Sequence, residues 1–351
     1  MRKRISAIIM TLFMVLVSCN SSGVAEDPKT VYLTSIANLG KGFLDVFVTF
    51  GDMVAGAFGI KADTKKSDIG KYFTDIESTM TTVKKKLQDE VANNGNYVKV
   101  KTVVDQFITN TLDKIAEGAK EVAKGATGDD KIGNATSAGH GASPADKDSV
   151  ISLVKGIKTI VDVVLKDEGD AGATKTGEDK KDIGNLFADD NGKADAKEEN
   201  IAKASASIGA VTGADILQAI AKSKEDPTAN NTDGIEKAKD ASEIAIAPAV
   251  ANKKEIKDAE AKKDAIIAAG IALRAMAKDG KFAANNNAKD ADAINGIAAS
   301  AVGKTLSTLI IAIRNTVDSG LKTINEALAA VKQEDKSAEA TNPAEATTSG
   351  Q

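Results

Sequence analysis

The sequence predicts an all-α protein: an elongated helical bundle with long N- and C-terminal helices, polar loops between them and little or no β-structure. Apolar residues recur at steps of three or four over long stretches at both ends of the 351-residue chain, which is the period of an amphipathic helix. Aromatic residues make up only 3% of the chain, and there is no tryptophan. The core must therefore be built from alanine and aliphatic side chains, which suits closely packed helices. The best strand signal is the alternation over residues 97–101, which is short and runs into a helical pattern.

The first eighteen residues have the pattern of a secretory signal. A basic start, Arg2-Lys3-Arg4, precedes an uncharged and mostly apolar run over 5–17 that is too short to span a bilayer. The only cysteine, Cys19, follows directly after Ser18. A small residue before a lone cysteine at this point is typical of bacterial lipoproteins, and the alternative is an ordinary signal peptide with an incidental cysteine. We predict that residues 1–18 are removed, that Cys19 carries lipid and that 19–29 form a flexible tether.

A lipid-modified Cys19 would attach the protein to a membrane without spanning it. Several acyl chains anchor a protein stably, whereas one chain holds it only marginally. No later segment is expected to be long and apolar enough to span. Removal of the signal takes away three positive charges and changes the formal net charge from −4 to −7. An acidic exterior disfavours binding to nucleic acid or to anionic lipid.

Three strongly periodic stretches fill the N-terminal third and predict three helices. The first apolar stripe runs from Tyr32 to Phe58. The second helix is predicted to begin near Ser67, a residue type that caps helix N-termini. The third stripe runs from about Tyr97 to Val122.

Polar segments divide the rest of the chain, and we predict loops near 125–149, 167–199, 223–234 and 284–290. These segments are polar, and the first two are rich in glycine and charged residues. Long loops in a compact domain are usually functional or disordered. We expect them to contribute few core contacts and to tolerate change.

Shorter helices are predicted between these loops. The run Ser143-Pro144-Ala145-Asp146 has the signals of a helix start, and that helix should reach about Lys166. A short helix is expected within 182–190 and a weak one over 196–211. Thr212 and Asp215 form a capping-box pattern for the helix that follows.

Two further helices complete the predicted scaffold. One should run from about Lys253 to Lys278, and Arg274 is its only charge between Ala265 and Ala277. A helix that is apolar all round is buried, so we expect Arg274 to pair with an acid on a neighbouring helix. Gly280 is expected to end this helix in the left-handed conformation, with Phe282 folding back onto the core.

The last helix should extend from Asp290 to Gln333, about 66 Å at about 1.5 Å per residue. Gly303 and Gly320 are candidate kink positions. The polar residues 334–351 are predicted to be disordered. Residues 30–333 would then form a single helical domain.

No sequence motif is specific enough to predict a catalytic, cofactor or metal site. Gly303-Lys304-Thr305 lacks the first glycine of a phosphate-binding loop, because residue 298 is alanine. His140, the only histidine, is expected to be a solvated loop residue. The run after Asp189-Asp190 puts glycine at the wrong place for a calcium loop. We therefore predict neither an enzyme nor a cofactor protein.

Four segments carry a resemblance to a known family. These segments read KKDAIIAAGIALRAMAKDGKFA, FLDVFVTFGDMVAGAFG, TGADILQAIAKS and TLSTLIIAIRNTVDSGLKTINEAL. Together with the lipoprotein signal they resemble the variable large proteins of relapsing-fever Borrelia and the related Lyme lipoprotein VlsE, over essentially the whole chain. The resemblance implies a helical, surface-exposed outer-membrane lipoprotein whose expressed version is exchanged by recombination, which defeats antibodies. It also implies terminal helices near the membrane, loops facing outward and no enzyme activity.

An alternative function is adhesion to host matrix or glycosaminoglycan. Sulfated polysaccharides require a basic patch, and Lys84–Lys86 is the best local candidate on this acidic chain. A solvated helix face explains the same lysines, and we favour that interpretation.

Overall fold

The computed structural model describes residues 28–53, 59–94, 97–177 and 179–332, without the side chains of Pro28 and of 47–53. Cys19, the predicted signal and the predicted C-terminal tail lie outside the described residues. Within them the chain is helical, with only isolated β-bridges and no strand. The α-helices are α1 Pro28–Met53, α2 Lys66–Asn93, α3 Val98–Phe107, α4 Asp113–Gly125, α5 Lys147–Val164, α6 Glu198–Ala210, α7 Gly213–Ala221, α8 Ala241–Ile246, α9 Asp264–Met276 and α10 Ala288–Ala329.

The N-terminal helices form an antiparallel group along the C-terminal half of α10. A single π turn, Ile108–Leu112, joins α3 to α4, so residues 98–125 run as one helical rod. α1 packs on α2 and α10, while α4 packs on α2 and α5. Leu39, Phe43 and Val46 of α1 are buried on this side. The predicted first stripe continues to Phe58, but its last part lies outside the described side chains.

α9 is the centre of the other half of the molecule. All thirteen of its residues are buried, and it packs against α2, α5, α6, α7, α8 and α10. The prediction of a buried helix around residue 270 is confirmed. Its predicted start is wrong, because Lys253 to Lys263 form turns and α9 begins only at Asp264.

Other helix boundaries differ from the predicted ones by a few residues. α1 begins at Pro28, inside the segment expected to be a tether. The N-cap of α2 is Lys65 and not Ser67, and the carboxylate of Asp68 accepts the Lys65 backbone N–H at 3.1 Å. Asp146 caps α5 by accepting the Ser149 N–H at 2.9 Å.

The capping box of α7 is formed as the sequence predicts. The Thr212 hydroxyl accepts the backbone N–H of Asp215 at 3.1 Å, and the Asp215 carboxylate accepts that of Thr212 at 2.8 Å. The two backbone N–H groups, which have no acceptor within the helix, are thereby both hydrogen-bonded.

By length and composition α10 could cross a membrane, as could α6 and α7 if the 97° bend between them is disregarded. This corrects the expectation that no segment after the signal is apolar enough. Half of the apolar window of α10 is buried inside the fold, so its hydrophobicity is that of a core helix. α10 runs unbroken through Gly303 and Gly320 for 42 residues, about 63 Å at about 1.5 Å per residue.

Candidate functional site: the loop surface and its anchors

The two ends of α10 have different surroundings. At its C-terminal end, the Tyr32 hydroxyl donates to the carbonyl of Val331 at 2.6 Å and ties the start of α1 to the end of α10. We call this the tether end, because the described chain both begins and ends here. At the N-terminal end of α10, three loop segments meet.

These three segments, 128–141, 188–196 and 284–290, form what we call the loop surface. His140 and Ala284 exchange two backbone hydrogen bonds, of 2.8 and 2.9 Å. The amide of Asn285 donates to the Ala196 carbonyl at 2.9 Å. The loop surface and the tether end are thus separated by roughly the length of α10.

The outer side of the loop surface is small, polar and charged. The side chains of Asp129 and Asp190 are 91% and 74% exposed. Thr136, Ser137 and Ala138 are exposed as well. These side chains make little demand on packing, so substitution here changes the surface with little effect on the fold.

The inner side of the same loops is anchored in the core, which corrects the expectation of few core contacts. Ile132, Ala196 and Ala284 have no exposed surface. The amide of Asn295 on α10 pairs with both backbone groups of Ala135, at 2.8 and 3.0 Å. The loops therefore combine buried anchors with exposed positions.

Among the residues that the structure describes, Arg274 is the largest fully buried side chain. Its guanidinium donates to the carbonyls of Ala245 (3.0 Å), Lys281 (3.4 Å) and Ala247, and its carbon lies 4.6 Å from the Phe187 ring centroid. The predicted acidic partner is therefore wrong, since backbone carbonyls and an aromatic face surround this cation. Burial lowers the pKa of Arg274 to about 9, so the guanidinium stays charged at neutral pH.

Lys66 is a second buried cation close by, and the sequence showed no sign of it. Its ammonium donates to the carbonyls of Ala277 (2.5 Å) and Gly280 (2.8 Å), beyond the end of α9. Burial lowers the pKa of Lys66 to about 8, with Arg274 lowering it further and Asp130 opposing the shift. A lysine at a helix start normally points to solvent, and only the tertiary fold places this one inside.

The stop of α9 is also different from the predicted one. Asp279, with φ of 63°, adopts the left-handed conformation, and Gly280 does not. Glycine is required at 280 for another reason, because a Cβ there would lie 2.1 Å from the Arg274 carbonyl oxygen. Phe282 is buried against Phe187, as predicted for a ring that folds back.

At the other end of α9, Asp264 holds Lys175, Thr176 and Lys180 of a preceding loop. Its buried carboxylate accepts the backbone N–H groups of Lys175 (2.6 Å) and Thr176 (2.8 Å) and pairs with Lys180 at 3.0 Å. Burial alone would raise the pKa of Asp264, but the hydrogen bonds from Thr176, Lys175 and Lys180 prevail and lower it to about 2. One carboxylate thus joins the start of a core helix to a loop about 90 residues away.

His140 is a structural part of the loop surface and not the solvated residue that we predicted. Its Nε2 accepts the backbone N–H of Thr136 at 3.2 Å, and its Nδ1 lies 3.0 Å from the Gly141 carbonyl. This pair of contacts suits a neutral ring protonated at Nδ1. Burial is the main cause that lowers the pKa of His140.

The other residues singled out in the sequence have structural roles as well. Lys304 donates to the carbonyls of Ile208 (2.8 Å) and Val211, so it caps the C-terminal end of α6. Asp189 accepts the Gly192 N–H at 3.0 Å in a tight turn, and Asp190 accepts that of Gly141 at 3.2 Å. Within the described chain, no group of three His, Cys, Asp or Glu residues could hold a metal ion.

The candidate basic patch for adhesion is partly used inside the molecule. Lys84 of α2 pairs with Asp113 of α4 at 2.8 Å and links the two helices. Lys85 is exposed, whereas Lys84 and Lys86 are half-buried. A sulfated polysaccharide would therefore meet fewer than three outward-facing ammonium groups here.

Comparison with known proteins identifies the family. The Borrelia lipoprotein family matches residues 43–328. The sequence is 82% identical to variable large protein 4 of Borrelia hermsii over all of both chains. It is 75% identical to variable large protein 17 of the same organism, over 100% of this chain and 99% of the relative. The chain belongs to the Borrelia variable large protein family.

A solved structure of a related antigen has a similar fold. The crystal structure of the Lyme disease variable surface antigen VlsE of Borrelia burgdorferi matches with a TM-score of 0.71 and 34% identity, covering 84% of this chain and 98% of the VlsE chain. The predicted all-helical fold and the resemblance to the variable large proteins are confirmed. This family is one of variable surface antigens and lipoproteins and is not an enzyme family.

Proposed function

We propose that this variable large protein is an outer-surface lipoprotein of the bacterium that mediates immune evasion by serotype switching. Its helical scaffold presents the loop surface to host antibodies, which are its principal partners. The observation that carries the proposal is that the loop surface and the tether end lie at opposite ends of α10. An antigen must change its exposed residues while keeping its fold, and exposed positions over buried anchors provide for both.

The proposed anchor is lipid on Cys19, after removal of residues 1–18. Residues 19–27 then connect the anchor to α1, and the single helical domain follows with its loops near 125–149, 167–199, 223–234 and 284–290. The lipid would hold the protein in the outer membrane, with the loop surface directed outward. The proposed function involves neither catalysis nor nucleic-acid binding.

Protease shaving of intact cells, followed by mapping of serotype-specific antibodies, tests this arrangement. We expect loss of the protein from the surface and epitopes concentrated at exposed positions such as Asp129, Ser137 and Asp190. A matched strain with Cys19→Ser should fail to incorporate labelled palmitate and should release the protein from the cell. A protein that resists shaving at every loop, or that binds antibodies chiefly at the tether end, would count against the proposal.

A further inference from the structure

A polar groove on the side of the molecule lies apart from the loop surface. It has a volume of about 650 Å³ and is bounded by the π turn, the C-terminal end of α5 and the C-terminal half of α10. Pockets for small ligands commonly measure about 300–1,000 Å³. Nothing in the antigenic function proposed above uses this groove.

The walls of the groove are neutral hydrogen-bonding groups. The amides of Asn110 and Asn315 and the hydroxyls of Thr111, Thr316 and Ser319 line it. Within the described chain these five side chains have no hydrogen-bond partner, whereas Thr102 and Thr159 donate to carbonyls of their own helices. Amides and hydroxyls both donate and accept, so the walls can match a ligand that carries many hydroxyl groups.

The floor of the groove is apolar and is built by a close packing contact. Phe107 and Gly320 lie here, and a Cβ on residue 320 would come within 2.0 Å of the Phe107 ring. Glycine therefore lets the aromatic ring lie against α10 beneath the polar walls. Val163 and Val164 extend the apolar floor along α5. A hydroxyl-rich ligand with apolar C–H faces, such as a sugar ring, needs both kinds of surface.

The π turn shapes the groove and supplies part of its wall. Asn110 and Thr111 belong to the turn Ile108–Leu112. Short π segments inside α-helices are rare and occur frequently at functional sites. Here the turn interrupts the α-helical register at the point where the groove opens.

The charges at the rim cancel. Asp162 and Lys166 are the charged residues that line the groove, and Asp162 also pairs with Lys158 at 3.1 Å. A sulfated or phosphorylated ligand would find no excess of positive charge here. We propose that this groove binds a short neutral oligosaccharide, held by the amides and hydroxyls of the π turn and α10.

Saturation-transfer difference NMR tests the proposal with the full-length lipoprotein in a detergent without sugar groups. Maltotetraose, chitotetraose and lacto-N-tetraose serve as neutral probes, and a chondroitin sulfate tetrasaccharide serves as the charged probe. We expect transfer to at least one neutral probe at millimolar concentration and weaker transfer to the sulfated one. Stronger binding of the sulfated probe, or no transfer to any neutral probe, would overturn the proposal.

Substitutions in the groove locate the binding. Asn315→Leu with Thr316→Val keeps the side-chain shapes and removes three hydrogen-bonding groups, which should weaken binding about tenfold or more. The matched control, Asn38→Leu with Thr82→Val, changes exposed positions on α1 and α2 and should leave binding unchanged. Equal circular dichroism of the two variants excludes a folding effect. Equal affinity of both variants and the wild-type chain would place the sugar elsewhere and refute the groove.

Discussion

At the scale of single residues, the ends of α9 are held by buried charged groups. Arg274 donates to carbonyls at the C-terminal end of α8 and to that of Lys281, and Lys66 donates to carbonyls beyond the C-terminal end of α9. Asp264 accepts backbone N–H groups at its N-terminal end. Each charge therefore faces backbone groups of the opposite partial charge. These hydrogen bonds hold the chain segments on either side of α9 in place. Removing one such group leaves buried polar atoms without partners, which costs more than the bond itself.

We expect Arg274→Met to destabilise the protein by about 2–3 kcal/mol, because the buried carbonyl of Ala247 loses its donor and those of Ala245 and Lys281 each keep only one backbone N–H. Arg274→Lys should recover only part of this, since an ammonium cannot present the planar fork of a guanidinium. Urea unfolding followed by circular dichroism measures both. The control is Arg314→Met, at a half-exposed side chain on α10, with an effect within about 0.5 kcal/mol. A stable Arg274→Met variant would show that the buried hydrogen bonds are dispensable.

Asp264 predicts a pH dependence of stability. Its pKa falls from the usual 3.8 to about 2 in the folded protein, so the folded state favours the ionised form. The resulting stabilisation, about 2 kcal/mol, is present above pH 4 and is lost as pH falls from about 4 to 2. Asp264→Asn should therefore be less stable than the wild type at pH 7, with the difference narrowing towards pH 2. Asp129→Asn, at an exposed loop residue, is the control and should show no such difference. A constant difference between the Asp264 variant and the wild type would contradict this account.

The sequence predicted the burial of Arg274 but not its partners. An uncharged surrounding run indicates burial, and the run around Arg274 has that property. Every residue carries the same backbone carbonyl. The sequence therefore cannot show which carbonyls will surround a buried side chain such as Arg274. Lys66 is the stronger example, because its neighbours in the chain are polar.

At the scale of elements, helix faces were predictable and loop anchors were not. The periodic stripes gave the buried faces of α2 through α5, and capping residues located the start of α7. The start of α9 was placed too early because 253–263 contain good helix formers. In the fold, Ile256 is buried and its N–H bonds to the Lys181 carbonyl at 2.9 Å. A tertiary contact there replaces the local helical preference.

The anchored loops sharpen the prediction about charge insertion. The sequence predicts a buried helix around Leu273 and a loop at 125–149 that tolerates change, so a charge should unfold the domain at Leu273 and a comparable charge in that loop should not. Leu273 and Ile132 are both fully buried, so Leu273→Asp and Ile132→Asp should each abolish cooperative unfolding or lower stability by several kcal/mol, on the order of 3 or more. Ser137→Asp, in the same loop but exposed, should leave the thermal midpoint unchanged. Tolerance of Ile132→Asp would mean that this loop is not part of the core.

At the scale of the whole molecule, α10 sets the distance between the proposed anchor and the antigenic surface. At one end of this helix, Asn295 pairs with Ala135, and Asp290 accepts from Asn285, whose amide also bonds to the 188–196 loop. Directly after the other end, the Val331 carbonyl accepts the hydroxyl of Tyr32 at the start of α1. The sequence predicted this long helix within a few residues at each end. It could not predict which loops meet at its N-terminal end, because those contacts join segments that are far apart in the chain.

This arrangement predicts different access to the two ends on intact cells. Single-cysteine variants at Ser137 on the loop surface and at Ala330 at the tether end, both exposed, can be labelled with a small impermeant maleimide and with a maleimide on a long polyethylene glycol chain. The proposed lipid on Cys19 removes the only native thiol from the reaction.

We expect Ser137→Cys to react at similar rates with both reagents. Ala330→Cys should react several-fold more slowly with the large reagent, because the bilayer below the tether end excludes a bulky chain. After extraction in detergent, the two positions should react alike, which controls for local reactivity within the fold. Equal labelling of Ala330→Cys by both reagents on intact cells would mean that the tether end is not next to the membrane. The loop surface would then have no preferred outward direction, and the proposed display of variable residues would lose its structural basis.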